Sequence, residues 1–168
     1  MASDAKTKRV SGTTELLTKW LVEVTVNEEA HYATVKRLVT KQTLVGYPVA
    51  VLNAVVASSV FATLSKEIAI GWRIATGVFS VLAAILSAAA AFGRYGERAE
   101  THRRTAVKFA EVRLLLEQII AAGTGTGPDA DKHCQEVRKQ LNGITDAAPA
   151  VPEDIWKITH DRIVNSTV

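Results

Sequence analysis

Residues 42–65, QTLVGYPVAVLNAVVASSVFATLS, and residues 74–93, IATGVFSVLAAILSAAAAFG, carry no charge from end to end. About 20 apolar residues at ~1.5 Å rise make roughly 30 Å of helix, the thickness of a bilayer's hydrocarbon core. Each stretch is therefore expected to cross a membrane, with spans at about 45–64 and 70–92. The whole-chain averages conceal this segregation: 168 residues, 48% hydrophobic, 20 Lys and Arg against 17 Asp and Glu. The polar and charged first 41 residues do not form a signal peptide, which needs an apolar core near the N-terminus followed by a cleavage site.

The flanking charge sets the expected orientation. Lys6, Lys8, Arg9, Lys19, Lys36, Arg37 and Lys41 precede the first span, and Arg94, Arg98, Arg103, Arg104, Lys108 and Arg113 follow the second. Between the spans stand only Lys66 and, at the far edge, Arg73. By the positive-inside rule the spans form a hairpin with both termini cytoplasmic. Tyr47 and Tyr95 then fall at the inner interface and Trp72 at the outer one. The same basic stripe explains the pI of 9.1 without nucleic acid, since Arg94 and Arg98 stand where anionic headgroups are nearest.

The expected architecture is an all-α membrane protein: a two-span hairpin with cytoplasmic helices at both ends. Residues 1–13 read as a disordered leader, 14–41 as cytoplasmic helices, 42–93 as the hairpin and 94–168 as a cytoplasmic helical region. Leu16, Leu17, Trp20, Leu21 and Val24 recur at helical spacing, and Asn27 before Glu28 and Glu29 has the pattern of a fresh N-cap. Pro48 is positioned to kink the rod or to start the true span. The second span is expected to run unbroken into a long cytoplasmic helix. Along it Phe109, Leu116 and Ile120 belong to a heptad-like seam that packs on the pre-membrane helix, a neighbouring subunit, or both. The run 123–128, GTGTGP, reads as a connector, and a short helix from about 129 to 142 is expected to stop at Gly143. Pro152 opens a last helix, 153–164.

Within a bilayer, close packing of small side chains holds helices together. Gly46, Ala50, Ala54 and Ser58 recur every four residues on the first span, and Gly77, Ser80, Ala84 and Ser87 offer small faces on the second. These faces serve either the hairpin itself or a homo-oligomer. Asn53 either bonds across to the returning helix or lines an oligomeric pore. Arg73 either snorkels to the headgroups or, with Lys66, forms a charged outer mouth.

Chemistry-bearing patterns are missing. GTGTGP lacks the Lys-Ser/Thr of a phosphate-binding loop. His31, His102, His133 and His160 are scattered, and the lone Cys134 beside His133 is no zinc spacing. No catalytic, cofactor-binding or metal-ligating set is expected, and no enzymatic activity.

The arrangement of cytoplasmic helix, hairpin and long helix, residues 90–119 reading AAFGRYGERAETHRRTAVKFAEVRLLLEQI, resembles the SLATT family. These are two-transmembrane effector domains associated with SMODS-type nucleotidyltransferases and SLOG-type sensors in prokaryotic conflict systems. The similarity rests on the Ala-rich exit from the second span, A-x-x-H-R at Ala99 to Arg103, the Phe109 and Leu114 to Leu116 register, and the Pro-containing tail from Ala148 to Trp156. It covers residues 16–158. The resemblance implies an inner-membrane effector of antiphage defence that forms pores or disrupts the bilayer on infection. With no fused sensor expected, the trigger would come from a separate protein or a nucleotide second messenger. A membrane-anchored scaffold recruiting a cytosolic partner, and a holin-like protein, are the alternative readings.

Overall fold

The computed structural model describes the backbone of residues 2–62, 70–123 and 130–167, and the side chains of 13–58, 70–123 and 130–166. Five helices follow in order: α1 Ala2–Ala62, α2 Ile70–Gly93, α3 Tyr95–Ala121, α4 Ala130–Ala147 and α5 Glu153–Thr167. No strand occurs among the described residues, and the chain is all-α. It divides into two compact units, Met1–Val35 with Glu100–Val168, and Lys36–Ala99. The second of these extends past the expected 42–93 hairpin on both sides.

Several expected boundaries give way to helix propagation, which adds one hydrogen bond for each residue fixed once a helix exists. The stretch read as a disordered leader is helical from Ala2. Asn27 does not cap a new helix: its Nδ2 donates to the Glu23 carbonyl at 2.9 Å inside one continuous α1. Pro48 likewise lies within α1. Gly143 does not stop α4, because Ile144 one residue later is buried and draws the last turn onto the core. Nearly all of the 123–128 connector lies outside the described residues. Gly123 stands at its start with φ +65°, the left-handed value that lets glycine end a helix.

One break was not anticipated. The expected uninterrupted helix from the second span is divided at Arg94, which has φ +41° and belongs to no helix. Gly93 permits the Tyr95 ring to fold back over it: a Cβ on residue 93 would lie 2.5 Å from Tyr95 Cε2. Helical bonding resumes as Arg98 N–H donates to the Arg94 carbonyl at 3.1 Å. Arg94 also pairs with Glu97.

The first unit is a helical bundle built on a shared seam. Leu17 and Val24 of α1, Phe109, Val112, Leu116 and Ile119 of α3, and Val137 and Ile144 of α4 form its apolar core. Trp20, Leu21, Ile120, Cys134 and Leu141 pack against it. On each helix the buried positions recur at three, four or seven residues, so each presents one apolar stripe. Arg113 Nε lies 3.1 Å from Glu28 Oε2, a contact ion pair between α3 and α1 that is not aligned as a hydrogen bond. Burial pushes the Glu28 carboxyl up, while Arg113 opposes that rise. Arg162 of α5 pairs with Glu29 of α1.

In the second unit the far half of α1 and α2 run antiparallel. A Cβ on Gly96 would contact the Gln42 side chain at 3.4 Å, and Val55 and Val56 share a 40 Å³ cavity with Trp72, Ala75, Thr76 and Phe79. On the α1 side Val45, Val49, Leu52 and Val56 are half-buried, while Leu44, Tyr47, Val51 and Val55 are exposed. α2 meets them mainly with small ones: Ala75, Thr76, Ser80, Ala83, Ser87 and Ala90 are half-buried or buried, together with Leu86.

Candidate functional site

Two places are candidates for function: the apolar unit formed by residues 36–99, and a cavity in the helical bundle. In the former, α2 is long and apolar enough to cross a membrane, the most apolar stretch of residues 70–121 reaching a mean hydropathy of 2.1. Its 24 residues correspond to about 36 Å of helix. Only Ala83 among them is buried, while Trp72, Ile74, Val78, Phe79, Val81, Leu82, Ile85 and Phe92 are exposed. A water-soluble helix hides its apolar face. This one displays apolar side chains around most of its circumference.

The small positions divide by face. Ala50, Asn53, Ala54 and Ser58 of α1 are exposed and Gly46 is half-buried. On α2, Gly77 and Ala84 are exposed, whereas Ser80 and Ser87 turn toward the contact with α1. A Cβ added at Gly46 or Gly77 would meet nothing within 4 Å, so no packing among the described residues requires glycine there. Asn53 is exposed and forms no hydrogen bond to α2. Ser58 donates to the Ala54 carbonyl at 2.8 Å, Thr76 to Trp72 at 3.0 Å and Ser80 to Thr76 at 2.9 Å. These hydroxyls are satisfied within their own helices and can face hydrocarbon at little cost.

Of the charged and aromatic positions at the ends, Arg73 is exposed at the start of α2, and Lys66 lies outside the described residues. Arg94 and Arg98 are exposed. Tyr47 and Trp72 are also exposed, and Tyr95 is half-buried against Gly93. In the bundle, Phe109 and Leu116 are buried in the core and Ile120 packs on its edge, so these side chains serve contacts within one chain.

The cavity in that bundle measures about 860 Å³. One face of α1 supplies Lys19, Val22, Glu23, Val26, Asn27 and His31, the three-to-four spacing of a single helical stripe. α3 adds Phe109, the end of α4 adds Thr145, and α5 adds Trp156 and His160. The remaining wall is Ala148, Pro149 and Val151, held out of helix in a segment containing Pro149 and Pro152. Trp156 and His160 are one turn apart on α5 and stack at 4.8 Å between ring centroids, tilted by 22°.

His31 lies at the inner wall, 2% exposed, beside the equally buried His102 of α3. Their Nδ1 atoms are 2.9 Å apart, and the His31 ring stacks on Phe109 at 5.7 Å. An Nδ1–H of one ring must donate to a bare Nδ1 of the other, so the two rings hold opposite tautomers and cannot both be charged. Desolvation, reinforced by His102, lowers the His31 pKa to about 4. These histidines are scattered along the sequence; folding joins two of them across 71 positions. No spacing rule marks such a pair, although His31 and His102 both fall on the buried stripes of their helices.

Cys134 is half-buried against the core, where burial raises its thiol pKa and leaves it a poor nucleophile. No group of three or more His, Cys, Asp or Glu suited to a metal ion occurs among the described residues. No family model, no curated protein and no solved structure matches this chain.

Proposed function

We propose that this chain is a membrane effector of a prokaryotic conflict system, which oligomerises in the inner membrane and opens a pore or disrupts the bilayer when triggered. The observation that carries the membrane part is α2, whose apolar side chains are exposed over most of its length. In this reading α2 and the second half of α1 are two spans, with both chain ends cytoplasmic as the flanking Lys and Arg favour. The exposed face bearing Ala50, Ala54 and Ser58 supports self-association, because α2 is engaged with the opposite, larger-residue face of α1. Two copies can approach closely along such a stripe, and Asn53 beside it would find amide partners in neighbouring copies. The antiphage role and the dependence on a separate sensor or nucleotide signal rest on the resemblance to SLATT domains.

The test is membrane potential and dye uptake in bacteria during induced expression, with and without candidate trigger proteins. Depolarisation that requires a trigger supports the gated effector. Leucine at Ala54 or Ala84 fills the small face and should abolish it. An intact potential under every condition, with the protein verified in the membrane, favours a second reading. In that reading the apolar unit only anchors a recruiting bundle, whose core is complete without the spans. Any unrelated hairpin could then replace residues 36–99 without loss.

A further inference from the structure

The sequence offered no pocket, yet α1, α3 and α5 of the bundle line a half-open cavity of about 860 Å³, within the range of small-molecule sites. We infer that this cavity binds a neutral, planar heteroaromatic molecule, stacked on Trp156 and hydrogen-bonded along one edge to His31 and Asn27. The inference concerns the bundle alone and stands or falls independently of any action on membranes.

Three features define the ligand chemistry. First, Trp156 is 40% exposed and has His160 on one ring face, leaving aromatic surface to receive a second flat ring. Second, His31 is almost fully buried at the cavity wall, and only its Nδ1 has a hydrogen-bond partner among the described residues. Its Nε2 is therefore left to the cavity. The tautomer fixed by His102 makes that nitrogen either donor or acceptor, and a heterocycle edge carries both. Asn27 adds an acceptor, since its Nδ2 is committed to the Glu23 carbonyl and its Oδ1 is not. Third, the charges in the lining cancel. Among the described residues Lys19 is the sole lysine or arginine of the lining, and Glu23 follows it one turn later on the same face. His31, its pKa lowered to about 4, brings no positive charge at neutral pH. A polyanion would meet no cluster of donors, whereas an uncharged ring keeps every polar contact and buries its faces.

The full chain in detergent, with Trp20 and Trp72 replaced by phenylalanine, leaves Trp156 as the reporter. It is titrated with adenine, cytosine and quinazolin-4-one, and separately with inorganic phosphate. Saturable quenching by at least one heterocycle and none by phosphate is expected. Trp156→Ala, followed by saturation-transfer NMR of the same probes, should weaken binding at least about tenfold, the share that one stacked ring contributes. Thr145→Trp, an exposed position at the cavity rim, should block binding while circular dichroism stays unchanged. Failure of all three heterocycles to saturate, equal binding by Thr145→Trp, or phosphate binding as tightly as the heterocycles would each overturn the assignment.

Discussion

Acid should loosen the bundle through the His31–His102 pair, and the loss can be assigned to that pair by one substitution. The ordinary histidine pKa is about 6.5, and in the fold His31 is lowered to about 4. At pH 7 both states are neutral at this position and the full stability is present. As the pH falls below 6.5 the unfolded chain takes up the proton first, and stability declines by about 1.4 kcal/mol per pH unit. The decline ends near pH 4, where folded His31 is itself protonated. Two to three units make a loss of about 3 kcal/mol, a large share of a small domain's stability. His31→Gln removes the titration and keeps a group able to bond His102. Urea midpoints at pH 7 and pH 4, followed by Trp20 fluorescence in a chain with Trp72 and Trp156 replaced, should fall further in the parent than in the glutamine variant. Glu28, pushed up by burial, titrates in both proteins and cancels from the comparison. Equal pH slopes would show that the pair is solvated and would refute the reasoning.

Other perturbations have defined outcomes. Leu116→Ala empties a fully buried site and should cost about 2–5 kcal/mol in thermal or urea unfolding, against well under 1 for the exposed Leu114→Ala. Arg94→Gly relieves a left-handed backbone and should stabilise the α2–α3 junction by about 1 kcal/mol, read from hydrogen exchange of the Arg98 amide. Ser58→Ala should leave expression and association unchanged, because its hydroxyl serves only its own helix.

The helical character and the core stripe of α3 were legible, because 3.6-residue periodicity survives in Phe109, Leu116 and Ile120 without reference to anything distant. Punctuation was less dependable. Asn27 and Gly143 carry cap and stop signals that packing and propagation overrode, whereas Arg94, with no local signal of its own, takes the break. The faces of α1 posed a different problem: its small and large stripes both suit a partner helix, and only the fold shows that α2 took the large one. The histidine pair and the cavity depend on α1, α3 and α5 meeting from opposite ends of the chain, and periodicity does not encode those encounters.

That discontinuity constrains how the protein is made. Residues 1–35 leave the ribosome first, but the α3 and α4 side chains that cover Leu17 and Val24 are synthesised only after residue 99. The 36–99 unit has near neighbours in sequence and can close early, whereas the bundle must await a loop of some sixty residues before its long-range contacts offset the entropy of closure. For that interval the apolar stripe of the first helix is uncovered. Synthesis rate and chaperone supply should therefore govern the yield of the bundle far more than that of the 36–99 unit.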